Sequence, residues 1–117
     1  MISEYLIPGV AARFKVLSDP SRLRLLACLH ERPHGVSELV EKTGRPQPSV
    51  SHCLAQLSTA GLVASRREGS RMIYRLNDPY VARICDAVCR SVSEGAKKQA
   101  KALAGPGAST SRSPRNA

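Results

Sequence analysis

Between Ser37 and Leu76 the hydrophobic period changes once, from two short helical stretches joined by Gly44-Arg45-Pro46 to a strict alternation, and few folds accommodate that order. The first stretch is predicted from about Ser37 to Thr43. Ser37 would serve as N-cap, Glu38 sits in the first turn where the helix dipole favours an acid, Leu39 and Val40 point inward, and Gly44 stops it. The second is predicted from Gln47 to Ala60, closed by Gly61, with Val50, Cys53, Leu54 and Leu57 at i, i+3, i+4 and i+7 forming its inner face. Its other face carries Ser49, Ser51, His52, Gln56 and Thr59. From Leu62 to Leu76 the chain then reads as a β-hairpin turning at Glu68-Gly69-Ser70.

The flanks are helical too. Leu17-Ser18-Asp19-Pro20-Ser21 reads as one helix end followed at once by a new start, with Asp19 or Ser18 as N-cap and Pro20 in the tolerated first position. Val10, Phe14 and Leu17 lie on one face before it; Leu23, Leu26, Ala27 and Leu29 follow until Pro33, and both faces are expected to be buried. Asn77-Asp78-Pro79 opens a last helix whose stripe is Val81, Ile84, Cys85, Val88, Cys89 and Val92, fading beyond Gly95. A chain of 117 residues with three Tyr, one Phe and no Trp builds its core from aliphatic side chains, which suits packed helices. The expectation is a mainly α domain with a small β-hairpin over residues 1–94, in the order ααα-α-ββ-α, and a basic extension over 95–117. Residues 105–117 are too polar and too rich in Gly, Pro and Ser to bury a core, which predicts disorder there.

The net charge of +9 directs attention to polyanions, nucleic acid before membrane. Lys97, Lys98, Lys101, Arg112 and Arg115 place five of those charges in the extension and leave +4 for residues 1–94. No run of about 18 apolar residues occurs, and Glu4 interrupts the short apolar start, so the expectation is a cytoplasmic protein with no membrane partner. The four cysteines form no Cys-x-x-Cys pair and are expected to be reduced.

Two short helices joined at a glycine, the second with small hydrogen-bonding side chains outward, suit the DNA major groove. Gln47, His52 and Gln56 can address base edges, and Ser49 and Ser51 bases or phosphates; a solvated helix face is the plain alternative for each. The hairpin gathers Arg66, Arg67, Arg71 and Arg75. Alternation turns some of these away from a duplex, so Arg66, Arg67 and Arg71 near the tip are the expected contacts.

Three segments in order then carry a resemblance: Phe14-Lys15-Val16-Leu17-Ser18-Asp19-Pro20-Ser21-Arg22-Leu23-Arg24-Leu25-Leu26, then Gln47 to Leu57 running on through Ala60-Gly61-Leu62-Val63, then Arg66 to Arg71 with Tyr74-Arg75-Leu76. Over about residues 10–94 the chain resembles the ArsR/SmtB family of winged helix-turn-helix repressors. The resemblance implies a homodimer paired through the first and last helices, binding to double-stranded DNA at an inverted repeat, and repression relieved by an inducer. It implies no cofactor for DNA binding itself, with a metal ion or metalloid as one class of inducer.

The chain departs from the family where many members carry Glu-Leu-Cys-Val-Cys-Asp-Leu. Here that stretch is Pro33-His34-Gly35-Val36-Ser37-Glu38-Leu39, without either thiol. At the positions matching an interfacial zinc site of other members stand Asp78, Tyr80, Ser91 and Glu94, with no histidine, and Pro46 replaces the usual serine before Gln-Pro. What remains is Cys85 and Cys89, one turn apart. They pack as small hydrophobes, or across a dimer they bring four thiols together for a soft metal, arsenite or a thiol-reactive species. A set of Cys28, His30 and His34 is a weaker candidate because Pro33 disturbs its geometry. No Gly-rich phosphate loop, paired-carboxylate motif or nucleophile elbow points to an enzyme. The rival from another class is a winged-helix module for protein assembly, which would expose apolar anchors where Ser49 to Thr59 are polar.

Overall fold

The computed structural model describes residues 2–104, which form five helices and three strands: α1 (Ile7–Leu17), α2 (Pro20–Glu31), β1 (His34–Gly35), α3 (Val36–Thr43), α4 (Gln47–Thr59), β2 (Val63–Glu68), β3 (Arg71–Leu76) and α5 (Val81–Ala104). The tail expected to be disordered, residues 105–117, lies outside the described residues. Of the described residues, those up to Pro79 form one packed unit and those from Tyr80 to Ala104 a second.

In the first unit, α2, α3 and α4 close around Leu25, Leu26, Leu29, Leu39, Val50, Leu54 and Leu57, and Leu62, Val63 and Ile73 join them from the hairpin. No aromatic side chain lies among the buried hydrophobic residues described, as the composition requires. Asp19 is the N-cap of α2, its carboxylate accepting from the Arg22 amide at 3.1 Å with Pro20 in the first turn. Gly44 ends α3 with φ +68°, a left-handed value that spares only glycine a Cβ clash. The hairpin turns at Gly69-Ser70, with positive φ at Gly69 alone, the pattern of a type II′ turn.

The structure departs from the sequence pattern at five points. Gly35, not Ser37, is the N-cap of α3, and the Glu38 carboxylate reaches back to the Gly35 amide at 3.0 Å. Glycine offers no side-chain acceptor, so the acid at the third position supplies the local hydrogen bond. Second, His34 and Gly35 form a two-residue strand that pairs antiparallel with Tyr74 and Ile73, giving a three-stranded sheet in the order β1-β3-β2. A pair of residues has too little pattern to show as a strand. Third, α4 ends at Thr59 with Ala60 as C-cap. Fourth, α5 begins at Val81, not at Asn77-Asp78-Pro79; Asp78 instead pairs with Arg13 of α1. Fifth, α1 buries only Leu17, while Phe14 is 55% exposed and Leu23 of α2 is 39% exposed.

In the second unit, α5 runs without interruption through Gly95 to Ala104. Val81 is buried, Ile84 and Cys85 are half-buried, and Val88, Cys89 and Val92 are exposed along the predicted stripe. Asp86, Arg90, Glu94 and Lys98 alternate in sign at four-residue spacing along the same helix, which supports it locally.

Candidate nucleic-acid interface

The polar face predicted for α4 exists, with a different cast in part. Gln47, Ser51 and His52 are exposed as expected, and Pro48, Ala55, Ser58 and Thr59 share that surface. The outer face is therefore low in relief, with His52 the only aromatic ring on it, and such a face can approach a groove floor closely. Counting i+3 and i+4 from Pro48 through Ser51, His52 and Ala55 would have found the apolar members, which a search for polar residues passes over.

Ser49 and Gln56 are half-buried and already engaged within the protomer. The Ser49 hydroxyl accepts from Arg45 Nε at 3.2 Å and from a terminal nitrogen of the same guanidinium at 3.1 Å. Arg45 thus lies over the first turn of α4, and its spacing four residues before Ser49 was the available signal. The Gln56 side-chain oxygen accepts from Arg22 Nη1 at 3.0 Å. Arg22 also donates Nε to the Val16 carbonyl at 2.6 Å and Nη2 to the Lys15 carbonyl at 3.3 Å, closing the C-terminal turn of α1. One arginine therefore ties α1, α2 and α4 together and fixes the Gln56 amide.

Strand register sorts the hairpin arginines. Arg66 pairs with Ile73, Glu68 with Arg71 and Ala64 with Arg75, and directly opposed residues share a sheet face, so Arg66, Glu68, Arg71 and Arg75 all lie on the face that carries Ile73, while Arg67, opposite Met72, takes the other. Glu68 accepts from Arg66 Nε at 2.6 Å and offsets its charge. Arg71 leans away from the tip: its Nη2 stands 3.5 Å from Glu38 Oε1, beside Gly35. Arg66, Arg67 and Arg71 are all exposed.

Neither thiol-based candidate gains a third ligand within the protomer. Among the described residues no group of three or more His, Cys, Asp or Glu could hold a metal. Cys28 is half-buried, His30 exposed, and His34 fully buried in β1, its Nδ1 donating to the Arg32 carbonyl at 2.7 Å. Cys85 is half-buried and Cys89 exposed on α5. Burial pushes the Cys85 thiol up from its ordinary range, and the neighbouring Cys89 and Asp86 add to that shift. Cys53 is buried in the inner face of α4, a packing position. Among the described residues no helix is long and apolar enough to cross a membrane.

Comparison with known proteins agrees with this geometry. The profile of bacterial regulatory proteins of the arsR family matches residues 19–65, from the cap of α2 into the hairpin. The chain is 41% identical over 83 residues to the HTH-type transcriptional regulator KmtR of Mycobacterium tuberculosis, covering 70% of this chain and 64% of that protein's length. It is 41% identical over 93 residues to the HTH-type transcriptional regulator Rv0081 of the same organism, covering 79% of this chain and 81% of the relative. The crystal structure of Rv0081 superposes with a TM-score of 0.77 and 33% identity, covering 85% of this chain and all of that one. A solution structure of the homodimeric winged helix-turn-helix DNA-binding domain Mb0332 of Mycobacterium bovis superposes with a TM-score of 0.71 and 32% identity, covering 80% and 90% of the two chains.

Proposed function

Because this chain belongs to the ArsR family of bacterial regulatory proteins, we propose that it is a homodimeric, sequence-specific DNA-binding repressor of transcription, released from its operator by an inducer. The observation that carries this reading is the outer face of α4, where exposed Gln47, Ser51 and His52 stand on the second helix of the helix-turn-helix, followed in the chain by an arginine-bearing hairpin. In this reading Gln47, Ser51 and His52 read base edges. Ser49 and Gln56, held by Arg45 and Arg22, contact the duplex through whatever hydrogen-bonding capacity those arginines leave. Arg66, Arg67 and Arg71 meet the backbone or the minor groove.

A second copy supplies the cover that two helices lack. α1 and its lead-in expose Ile2, Tyr5, Leu6, Ile7 and Phe14, and α5 exposes Val88 and Val92, more apolar surface than an isolated protomer keeps in water. Two copies would present two copies of α4 to half-sites about one helical turn, ~34 Å, apart. Inducer control is assigned to Cys85 and Cys89. The two sulfurs stand one turn apart on α5, a spacing that a soft metal, a metalloid or a thiol-reactive species could address together.

The test is binding of the reduced protein to its own upstream DNA against scrambled competitor at physiological salt. It is repeated with Cys85 and Cys89 both changed to Ser and with arsenite, zinc or cadmium added. Specific binding that an added metal abolishes only when both thiols are present supports the full reading. Specific binding indifferent to every agent removes the sensing role from these cysteines and leaves the repressor. Absence of specific binding overturns the repressor.

A further inference from the structure

A cleft of about 420 Å³ opens between the first turn of α3, the first residue of α4 and the tip of the hairpin. Ser37, Gln47, Ser70 and Arg71 supply its polar wall, and Val36 and Met72 part of its apolar one. Gln47 opens the face of α4 assigned above to DNA, so the cleft adjoins that face. Of its walls, only Arg71 carries a full charge.

That charge is partly occupied. Glu38 accepts from the Gly35 amide at 3.0 Å and from Arg32 Nη2 at 3.1 Å, both hydrogen bonds. Arg71 Nη2 stands at 3.5 Å, an ion pair without a hydrogen bond, and is the loosest of the three partners. The Gly35 amide and Arg32 hold the Glu38 carboxyl below its ordinary range, so it stays charged and keeps its attraction for Arg71 at neutral pH. Gly35 makes room for this arrangement: a Cβ there would lie 2.6 Å from Arg71 Nη2.

We propose that Glu38 stands in for a DNA phosphate in the free protein, and that on binding Arg71 is handed from Glu38 to a backbone phosphate seated in the cleft between the hairpin tip, Ser37 and Gln47. This rests on the DNA-binding reading of the preceding section and adds to it a defined competitor and seat. A guanidinium held at 3.5 Å by one half-buried carboxylate that already accepts from two other donors loses little on leaving it, and phosphate offers the same planar fork a bidentate partner. The Ser37 and Ser70 hydroxyls can donate to the same oxygens. Such a contact positions the protein on the duplex and carries no base information.

The experiment is a double-mutant cycle of Glu38→Gln and Arg71→Ala, read as affinity for operator and scrambled duplexes across a salt series. The E38Q side chain would keep the local hydrogen bond, because its amide oxygen also accepts from the Gly35 amide, and thermal melts verify folding of each variant. E38Q is expected to tighten binding to both duplexes about two- to fivefold for each half-site engaged, with the salt slope unchanged. R71A is expected to weaken both and to lower the slope of log K against log salt by about 0.9 per protomer. In the R71A background E38Q is expected to change nothing. An equal gain from E38Q with and without Arg71 would make Glu38 a general repulsive charge and overturn the hand-over, as would a slope indifferent to R71A. In a parallel arm inorganic phosphate replaces chloride at constant ionic strength; Arg71-dependent displacement of DNA would mark a small-anion site and overturn the assignment to the backbone. If the unaltered chain binds no DNA, the repressor reading itself falls and this one with it, a result distinct from normal binding that the variants leave untouched.

Discussion

Arg22 divides its donors among acceptors on α1, α4 and the cap of α2, which explains why α4 is held in one orientation although its N-cap, Pro46, offers no side-chain acceptor. Its removal leaves the last carbonyls of α1 and the Gln56 oxygen without a charged donor. Arg22→Ala is expected to lower unfolding free energy by about 2–3 kcal/mol, as for loss of hydrogen bonds to a charged group, and urea titration measures it. Gln56 looks from sequence like a free base-reading side chain because its partner lies 34 residues earlier, a distance no local pattern spans. Ser51 and His52 are legible because the 3.6-residue period alone sets them outward. Glu38 reads in the sequence as a dipole partner, and only the structure shows its carboxylate shared by Gly35, Arg32 and Arg71. Its folded pKa lies below the ordinary value of 4.5, so its contribution is present above that pH and is lost as pH falls through the folded value. The stability difference between the unaltered chain and Glu38→Gln is therefore expected to be largest at neutral pH and to shrink on acidification below about 4.5. Denaturation midpoints at matched pH values check this; a difference constant with pH would mean the carboxylate charge has no part in folding.

The turn between α3 and α4 is the element on which the candidate interface depends. Gly44 adopts φ +68° with nothing within 4 Å of where a Cβ would stand, so a substitution there strains the backbone without meeting a neighbour. Gly44→Ala is expected to cost about 1 kcal/mol or somewhat more, read as a lower urea midpoint at unchanged m, while Gly9→Ala in α1, in open space without positive φ, should be neutral or stabilising. Elements with long periodic faces are legible: α2, α4 and the β2–β3 pair lie where the pattern puts them. β1 is not, because its two residues form a strand only by pairing with Tyr74 and Ile73, a tertiary event. The start of α5 misleads for a related reason. Asn77-Asp78-Pro79 has the chemistry of a helix start, but Asn77 donates to the Gly61 carbonyl and Asp78 pairs with Arg13, so both are held by the first unit.

At the scale of the whole molecule, charge and apolar surface divide the work. In the proposed reading a second copy would cover the exposed apolar residues of α1 and α5, while the nine net positive charges would govern how strongly any duplex is attracted. Residues 95–117 carry five of those charges, with Arg112 and Arg115 in the stretch from 105 onward. Two arginines set among Gly, Pro and Ser have no periodic pattern to aim them at base edges, and base reading requires side chains held in register with the groove. Their contribution should therefore be one of counterion release. Deletion of residues 105–117 is expected to weaken operator and scrambled duplex by the same factor. The salt slope should fall by no more than about 0.9 for each arginine that meets a phosphate. Titrating both duplexes from low to physiological salt separates the two ways a tail can act. Parallel losses that converge at high salt place it among the sequence-blind contacts, and a loss confined to the operator would mean that Arg112 or Arg115 reads bases.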